Sequence, residues 1–204
     1  MSIISKLKAL RMVIAAYDAT SFERKIGYLG ESSYLRGPVN CANPKAISVG
    51  EHSHILGNAN YIIREGRFVV GNYTGIAQGF TVITGNHIPE VGKFFNDCCD
   101  MDERDVIIGD DVRIGACVTI LPGVHIGRGA IIGAGAVLHN RIPPYAIALG
   151  NPARVIGFRM NPEEMLEHEK RLYLEEKRLS EKELFDNYEK YYFNRIEEIA
   201  DFLK

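Results

Sequence analysis

Residues 105–140, DVIIGDDVRIGACVTILPGVHIGRGAIIGAGAVLHN, repeat the same pattern every six residues. One position in each repeat carries a large aliphatic side chain, and the position two residues earlier carries a small or β-branched one. The large set is Ile108, Ile114, Ile120, Ile126, Ile132 and Leu138, and the small set is Val106, Val112, Val118, Val124, Ala130 and Ala136. Glycine follows four of the six large residues, so the pattern links two apolar positions to a regular turn.

A period of six residues is typical of a parallel β-helix. An α-helix with about 3.6 residues per turn cannot hold positions six apart on one face, and a simple strand alternates without a recurring glycine. A short strand followed by a tight turn, repeated many times, stacks like side chains into ladders that fill the interior. Another glycine-rich all-β sandwich is the alternative, which six uninterrupted matches at two linked positions disfavour.

The period also predicts where the chain leaves the β-helix. It occurs earlier in two runs, Val49, Ile55, Tyr61 and Val70, Ile76, Val82. It is then lost until Ile108, which predicts an excursion loop at about residues 86–105. His87, in TVITGNHIPE at residues 81–90, stands where this loop begins, so we expect it at an edge of a coil.

The segment before the repeats predicts a short N-terminal helix. Ile4, Leu7, Leu10 and Ile14 have helical spacing. Charges at Lys6, Lys8, Arg11 and Asp18 keep the apolar run too short for a signal peptide, which is the alternative reading. We therefore expect an amphipathic helical segment over residues 1–27, followed by the β-helix over residues 28–160.

The segment after the repeats, residues 161–204, predicts a helical extension. Its first residues, Asn161-Pro162-Glu163-Glu164, combine a capping side chain, a proline at the first helical position and acids in the first turn. Apolar residues recur at helical spacing and predict two helices with a break near Ser180. We expect the extension to cover the exposed edge of the last coil, to contact other subunits, or both.

Composition excludes several classes of partner. The formal net charge of −2 gives no reason to expect nucleic acid or an anionic membrane as a partner, and no apolar run approaches the roughly 18 residues of a membrane span. The four cysteines, Cys41, Cys98, Cys99 and Cys117, form no CxxC pair, so we expect reduced thiols and a cytoplasmic location.

The stretch IGDDVRIGACVTILPGVHIGRGAIIGAGAVLHNRIPPYAIALGNPARVI resembles, nearly position for position, the closing segment of hexapeptide-repeat acyltransferases. Its most specific part is the ending PPYAIALGNPARVI, and the earlier NPKAISVGEHSHI and ITGNHIP favour the branch that acetylates sugars and polysaccharides. The resemblance implies a mainly β protein, a left-handed parallel β-helix, that works as a homotrimer with acetyl-CoA and a sugar substrate.

The resemblance also implies a reaction. It assigns His87 as the general base for direct transfer of an acetyl group from acetyl-CoA to a hydroxyl of a sugar or polysaccharide precursor, with no metal required. A positioned imidazole can take the proton of a weakly nucleophilic alcohol as the new bond forms. Asn86 matches a position that could orient His87 or touch the acceptor, and turn chemistry before Pro89 explains it about as well.

The same resemblance implies a set of residues that contact CoA. These are Gly115 and Ala116 at the thiol end, Ala134 along the pantetheine arm, His139 and Asn140 at the adenosine end, and Arg154 near the phosphates. A backbone N–H at a rigid turn suits a developing oxyanion, and that of Ala116 is the candidate. The sequence departs from the family at Arg113, where tryptophan is usual, and at Asn140, where lysine is usual. Phosphate contact is therefore expected to rest more on Arg154, and on Arg159.

Three other functions remain open on the sequence. An antibiotic O-acetyltransferase shares the chemistry with another acceptor. A γ-carbonic-anhydrase-like zinc enzyme needs three histidines, and His52 and His54 are two residues apart, but no H-x4-H motif accompanies His87. A non-catalytic β-helix scaffold would bind no CoA.

Overall fold

The structure is a computed structural model that describes residues 3–17, 22–36, 39–98 and 101–204. Its central part is a parallel β-helix with three faces, and successive strands visit the three faces in rotation over residues 28–83 and again over residues 106–138. In these ranges each strand pairs in parallel with the strand on the same face of the next coil, for example Arg113 with Ile131 and Thr119 with Val137, whereas the last two strands of the second face pair antiparallel. The fold predicted from the six-residue period is confirmed.

The strands of each face are short. The first face contains β1 (Tyr28–Leu29), β4 (Ile47–Val49), β7 (Phe68–Val70), β12 (Val106–Ile108) and β15 (His125–Ile126). The second face contains β2 (Tyr34–Leu35), β5 (His54–Ile55), β8 (Gly75–Ile76), β13 (Arg113–Ile114), β16 (Ile131–Ile132), β18 (Ala146–Leu149) and β19 (Arg154–Phe158). The third face contains β3 (Val39–Cys41), β6 (Ala59–Ile62), β9 (Thr81–Ile83), β14 (Thr119–Ile120) and β17 (Val137–Leu138).

The core consists of the aliphatic ladders that the repeat predicts. All twelve residues of the two repeating positions in residues 105–140 are buried. On the second face, Ile55, Ile76, Ile114 and Ile132 stack directly above one another. Each coil buries too little apolar surface alone, and stacking makes the core continuous.

Two rows of tight turns connect the faces. The first corner, between the first and second faces, consists of residues with positive φ: Ser32, His52, Tyr73, Asp111, Gly129 and Tyr145. The second corner, between the second and third faces, consists of Asn58, Gly79, Cys117 and Gly135, also with positive φ. Backbone N–H groups of these residues donate to carbonyls of the preceding coil, as Cys117 does to Gln78 at 2.9 Å. The turns of each corner therefore stack in register.

The excursion leaves the third face where the period breaks. Strand β10 (Gly85–His87) pairs antiparallel with β11 (Met101–Glu103), and a short 3-10 turn at Phe95–Asp97 lies between them. The chain rejoins the first face at β12.

Helices flank the β-helix on both sides in the sequence. Helix α1 (Ile3–Tyr17) precedes it, and α2 (Pro162–Leu172), α3 (Glu181–Tyr191) and α4 (Ile196–Phe202) follow it. The predicted start at Asn161 is confirmed by a capping box with Glu164, and the predicted break is confirmed by the Ser180 cap of α3. The extension has three helices instead of two because a 3-10 turn at Phe193–Arg195 interrupts the last one. No helix in the described ranges is long and apolar enough to cross a bilayer.

The extension is fastened to the first corner by a buried carboxylate. Glu169 of α2 is 1% exposed and accepts hydrogen bonds from the Tyr145 hydroxyl and from the Leu179 N–H, the latter at 2.9 Å. Arg128 pairs with the same carboxylate at 3.2 Å. Since a buried charge is stable only when paired and hydrogen-bonded, these contacts determine where α2 docks.

Candidate active site

The second corner presents backbone N–H groups that the fold leaves open. Ala116 and Ala134 occupy equivalent positions on successive coils, and neither N–H has an acceptor among residues 3–17, 22–36, 39–98 and 101–204. A Cβ at Gly115 would lie 2.6 Å from the Ala134 nitrogen, so only glycine permits this close stacking. The two donors therefore lie on one edge of the β-helix.

The first corner differs on two of its coils. There the N–H of Glu51 donates to Asn72 Oδ1 at 2.8 Å, and the N–H of Asn72 donates to Asp110 Oδ1 at 2.7 Å. The N–H groups of Asp110 and Arg128, on the next two coils, have no acceptor in the described ranges. Asn72 and Asp110 thus each satisfy one N–H of the preceding coil with a side-chain oxygen. Alanine at residues 116 and 134 cannot do this, because its side chain has no oxygen.

His87 ends strand β10 at the base of the excursion. It is exposed, lies opposite Met101 in the hairpin, and its ring meets the Phe95 ring edge-on with centroids 5.8 Å apart. Asn86 is also exposed and lies opposite Asp102. The imidazole is therefore accessible, and Phe95 limits its orientation on one side.

Glu103 holds this hairpin in place and was not predicted from the sequence. Its carboxylate accepts from the Thr84 hydroxyl at 3.1 Å and from the Gly66 N–H at 3.2 Å. A Cβ at Gly85 would overlap the same carboxylate, so the glycine lets the hairpin approach its anchor. Neither the period nor a motif marks Glu103, because its partners are 19 and 37 residues away.

Within one chain the structure does not bring His87 and Ala116 together. The third face separates them, since Ala116 precedes β14 while His87 follows β9, which pairs with β14. One coil needs six residues, from Gly79 to Gly85, to cross this face, which corresponds to roughly 20 Å. The open donors and the histidine therefore lie on different edges of the prism.

The two residues assigned to the adenosine end lie on the same far edge as His87. His139 and Asn140 follow β17 on the third face, both are exposed, and His139 Nε2 lies 2.9 Å from Asn140 Nδ2. They are thus across the face from Ala134, the residue assigned to the pantetheine arm.

The three arginines discussed for CoA binding have different environments. Arg154 begins β19, lies 3.6 Å from Glu198, and its guanidinium is 5.4 Å from the centre of the Phe202 ring. Arg159 instead binds Asp111 at 2.7 Å at the first corner. Arg113 projects from the second face, where its guanidinium lies over Gly75. Of these, Arg154 lies on the last coil.

The two histidines considered for zinc are used in ring stacking. His52 stacks on Tyr73 with centroids 4.8 Å apart, and His54 stacks on Tyr34 at 5.4 Å. Burial, with the nearby cations Arg113 and Arg36, lowers the pKa of His54. In the described part of the chain, no three histidine, cysteine or acidic side chains are grouped as a metal would require.

Comparisons with known proteins agree with this architecture. Residues 105–140 match the family model described as bacterial transferase hexapeptide (six repeats). A chloramphenicol acetyltransferase from Escherichia coli is 31% identical over 152 residues, with 60% of this chain and 72% of the relative covered. For several other curated relatives, the chain spans only 25% to 65% of their length.

Two solved structures are also similar. A maltose O-acetyltransferase from Clostridium difficile 630 superposes with a TM-score of 0.63 and 29% identity, covering 69% of this chain and 73% of the other. A galactoside acetyltransferase in complex with coenzyme A gives a TM-score of 0.63 and 25% identity, covering 79% of this chain and 76% of the other.

Proposed function

This chain belongs to the hexapeptide-repeat acyltransferase family, and we propose that it transfers an acetyl group from acetyl-CoA to a hydroxyl of a sugar or polysaccharide precursor. The observation that carries the proposal is the pair of open N–H groups at Ala116 and Ala134, stacked on successive coils. The names of two solved relatives, a maltose O-acetyltransferase and a galactoside acetyltransferase bound to coenzyme A, support the sugar and the cofactor.

His87 is the proposed general base. Its imidazole takes the proton of the acceptor hydroxyl as that oxygen attacks the thioester carbonyl, which contributes on the order of 100- to 10,000-fold to the rate. The tetrahedral intermediate then expels the CoA thiolate, and the imidazolium returns its proton to the sulfur. The products are CoA thiol and the acetyl ester, and no serine or cysteine nucleophile takes part.

The Ala116 N–H is the proposed donor to the oxyanion of that intermediate. The donor is fixed by the coil, so it needs no reorganisation when charge develops on the carbonyl oxygen. Its neighbour, the Ala134 N–H, is proposed to bind a carbonyl of the pantetheine arm. The side chain at each position is small, which leaves room for that arm beside the backbone.

The site we propose is completed by a second copy of the chain, in a homotrimer. His87 lies roughly 20 Å from the second corner of its own chain, too far for one chain to form the site alone. In a ring of three, the excursion of one protomer can face the second corner of the next. This also puts His139 and Asn140 of one protomer near the same groove.

The remaining cofactor contact is proposed for Arg154. Its guanidinium is half exposed, and an arginine fork suits a phosphate. Glu198 and Phe202 of α4 hold it at the last coil. We keep the cytoplasm as the proposed location, since the described cysteines Cys41, Cys98 and Cys117 are free thiols.

The direct test is acetyl transfer by the His87→Ala variant. Release of CoA thiol from acetyl-CoA would be followed with maltose, galactosides, bacterial polysaccharide precursors and chloramphenicol as acceptors. We expect the turnover of His87→Ala to fall by about 100-fold or more, which is the contribution typical of general-base catalysis. Calorimetry should show unchanged CoA binding.

His125→Ala is the matched control, because His125 is an exposed histidine on the first face. It should keep full turnover. Retained turnover in His87→Ala would contradict the base assignment, and activity on chloramphenicol alone would replace the sugar acceptor by an antibiotic. Stoichiometric zinc in active protein, lost together with activity on chelation, would favour the carbonic-anhydrase-like alternative.

A further inference from the structure

Helix α1 turns its large apolar side chains toward solvent. Ile3, Ile4, Leu7, Leu10, Val13 and Ile14 are between 53% and 78% exposed. Ser5, on the opposite side of the helix, is half-buried. A surface helix of a globular protein normally buries its apolar face, whereas the apolar and the charged residues of α1 are both exposed.

The apolar residues form one continuous stripe. Ile3, Leu7, Leu10 and Ile14 follow at intervals of four, three and four residues, which places them within about 60° of one another around the helix axis. Ile4 and Val13 widen the stripe on its two sides. A patch of this kind on a soluble surface marks an interaction site.

All the charges on α1 are positive. Lys6 and Arg11 flank the four central residues of the stripe, inside Val13 and Ile4 respectively, Lys8 lies beyond Ile4, and the helix carries no acidic residue. Long basic side chains at the border of an apolar stripe can reach lipid phosphates while the stripe enters the acyl region. The rest of the chain is acidic, because the net charge is −2 although α1 contributes three positive charges.

We propose that α1 lies on the surface of an anionic lipid bilayer and holds the protein there. The helix has 15 residues and is therefore about 22 Å long, so it fits in the plane of the membrane and is too short to cross it. An apolar stripe with basic residues beside it is a feature of such interfacial helices.

Charge favours a lipid surface over pairing of α1 with α1 of a second copy. Three copies of the helix placed side by side would bring nine positive charges together without an acid between them, which opposes association. An anionic bilayer supplies the complementary charge along the whole helix. Membrane binding by α1 does not depend on acetyl transfer, and it can be measured without an activity assay.

The test is co-sedimentation of the full chain with vesicles. Vesicles of phosphatidylcholine alone and of equal parts phosphatidylcholine and phosphatidylglycerol would be compared at low salt and at about 0.15 M salt. We expect binding to the anionic vesicles that weakens with salt. Replacing Lys6, Lys8 and Arg11 together by glutamine should weaken it about 100-fold, at about fivefold for each charge.

Two further variants distinguish binding through the apolar stripe from non-specific hydrophobic adsorption. Leu7→Ser with Leu10→Ser should abolish vesicle binding and leave the oligomeric state unchanged in light scattering. The matched control, Leu172→Ser with Leu174→Ser, alters two leucines of similar exposure in the helical extension and should bind as the wild type does. Wild-type protein that stays in solution with anionic vesicles would overturn the proposal. A Leu7 and Leu10 double variant that changes its oligomeric state but still binds vesicles would also overturn the proposal, because this result would show that a second copy of the chain covers α1.

Discussion

The first and second corners make the same stacked turn, yet they differ in which backbone N–H groups are capped by a side chain. At the first corner, Asn72 and Asp110 accept from N–H groups of the preceding coil, while the N–H groups of Asp110 and Arg128 have no acceptor in the described ranges. The hydroxyls of Ser33 and of the buried Ser53 and Thr74 satisfy further backbone groups there. At the second corner, the equivalent positions are Ala116 and Ala134, and their N–H groups have no acceptor in the described part of the chain.

The backbone alone therefore does not decide whether a turn N–H is free to bind a ligand. The same turn is closed by an oxygen-bearing side chain on the next coil and left open by a residue without an acceptor, such as alanine. The closed corner instead has a structural role, because Tyr145 and Arg128 there fasten the helical extension through Glu169. In the proposed function, the open corner keeps rigid donors for a ligand, which is the arrangement that stabilises developing charge.

Capping the Ala116 N–H at the second corner with a side-chain oxygen should produce the largest effect. In Ala134→Asn the new side-chain oxygen can accept from the Ala116 N–H, as Asn72 does from Glu51. We expect kcat to fall by about 100- to 1,000-fold, the loss typical of one oxyanion donor. Steady-state kinetics would measure it.

Ala134→Leu is the matched control, because leucine has the bulk of asparagine without its oxygen. It should raise KM for acetyl-CoA through crowding and change kcat less. If both variants lower kcat equally, bulk and not the capped N–H is responsible.

Unfastening the extension from the closed corner should have the next largest effect. Glu169→Ala leaves Arg128 without its ion pair and the Tyr145 hydroxyl without its acceptor. We expect the free energy of unfolding to fall by about 2–3 kcal/mol, the range for hydrogen bonds to charged groups. Denaturant titration would measure this, with Glu167→Ala, an exposed glutamate of the same helix, as a control that changes little.

The same contact predicts a dependence on pH. Burial, and then the Glu169 carboxylate, raise the pKa of the Tyr145 hydroxyl above its usual 10.0. A raised folded pKa means that the stabilisation is complete below pH 10 and falls as the pH rises above it. Stability of the Glu169→Ala variant should depend less on pH in that alkaline range, and an equal dependence would contradict the assignment.

Removing a side-chain acceptor from the first corner should have the smallest effect. Asp110→Ala removes the acceptor of the Asn72 N–H, which we expect to cost about 1–2 kcal/mol of stability without changing kcat. Asp110→Asn keeps an oxygen at that position and should restore most of the loss in thermal unfolding. A fall in kcat in Asp110→Ala would show that the two corners are not functionally separate.

The sequence predicted the architecture because the period is a local property. Six-residue spacing alone specifies the faces, the ladders from Ile108 to Leu138 and the break that releases the excursion. Helix starts were also readable, since Asn161 and Pro162 act within one turn. The third helix of the extension was missed because the 3-10 turn at Phe193–Arg195 has no marked breaker residue.

Long-range pairings were not readable in the same way. Asp110 satisfies Asn72 across 38 residues that include the excursion, and Glu103 anchors the hairpin through Gly66 and Thr84. The contact of Arg154 with Glu198 and Phe202 needs the path of the whole extension. These contacts depend on which coils become neighbours, which no single motif encodes.

The most direct test of the account is the structure of the protein crystallised with CoA. We predict that the CoA sulfur lies beside the second corner, within hydrogen-bonding reach of the Ala116 N–H, and that His87 of the partner subunit faces it. CoA bound at the first corner, or His87 of the same protomer facing the sulfur, would contradict the proposed site between two subunits.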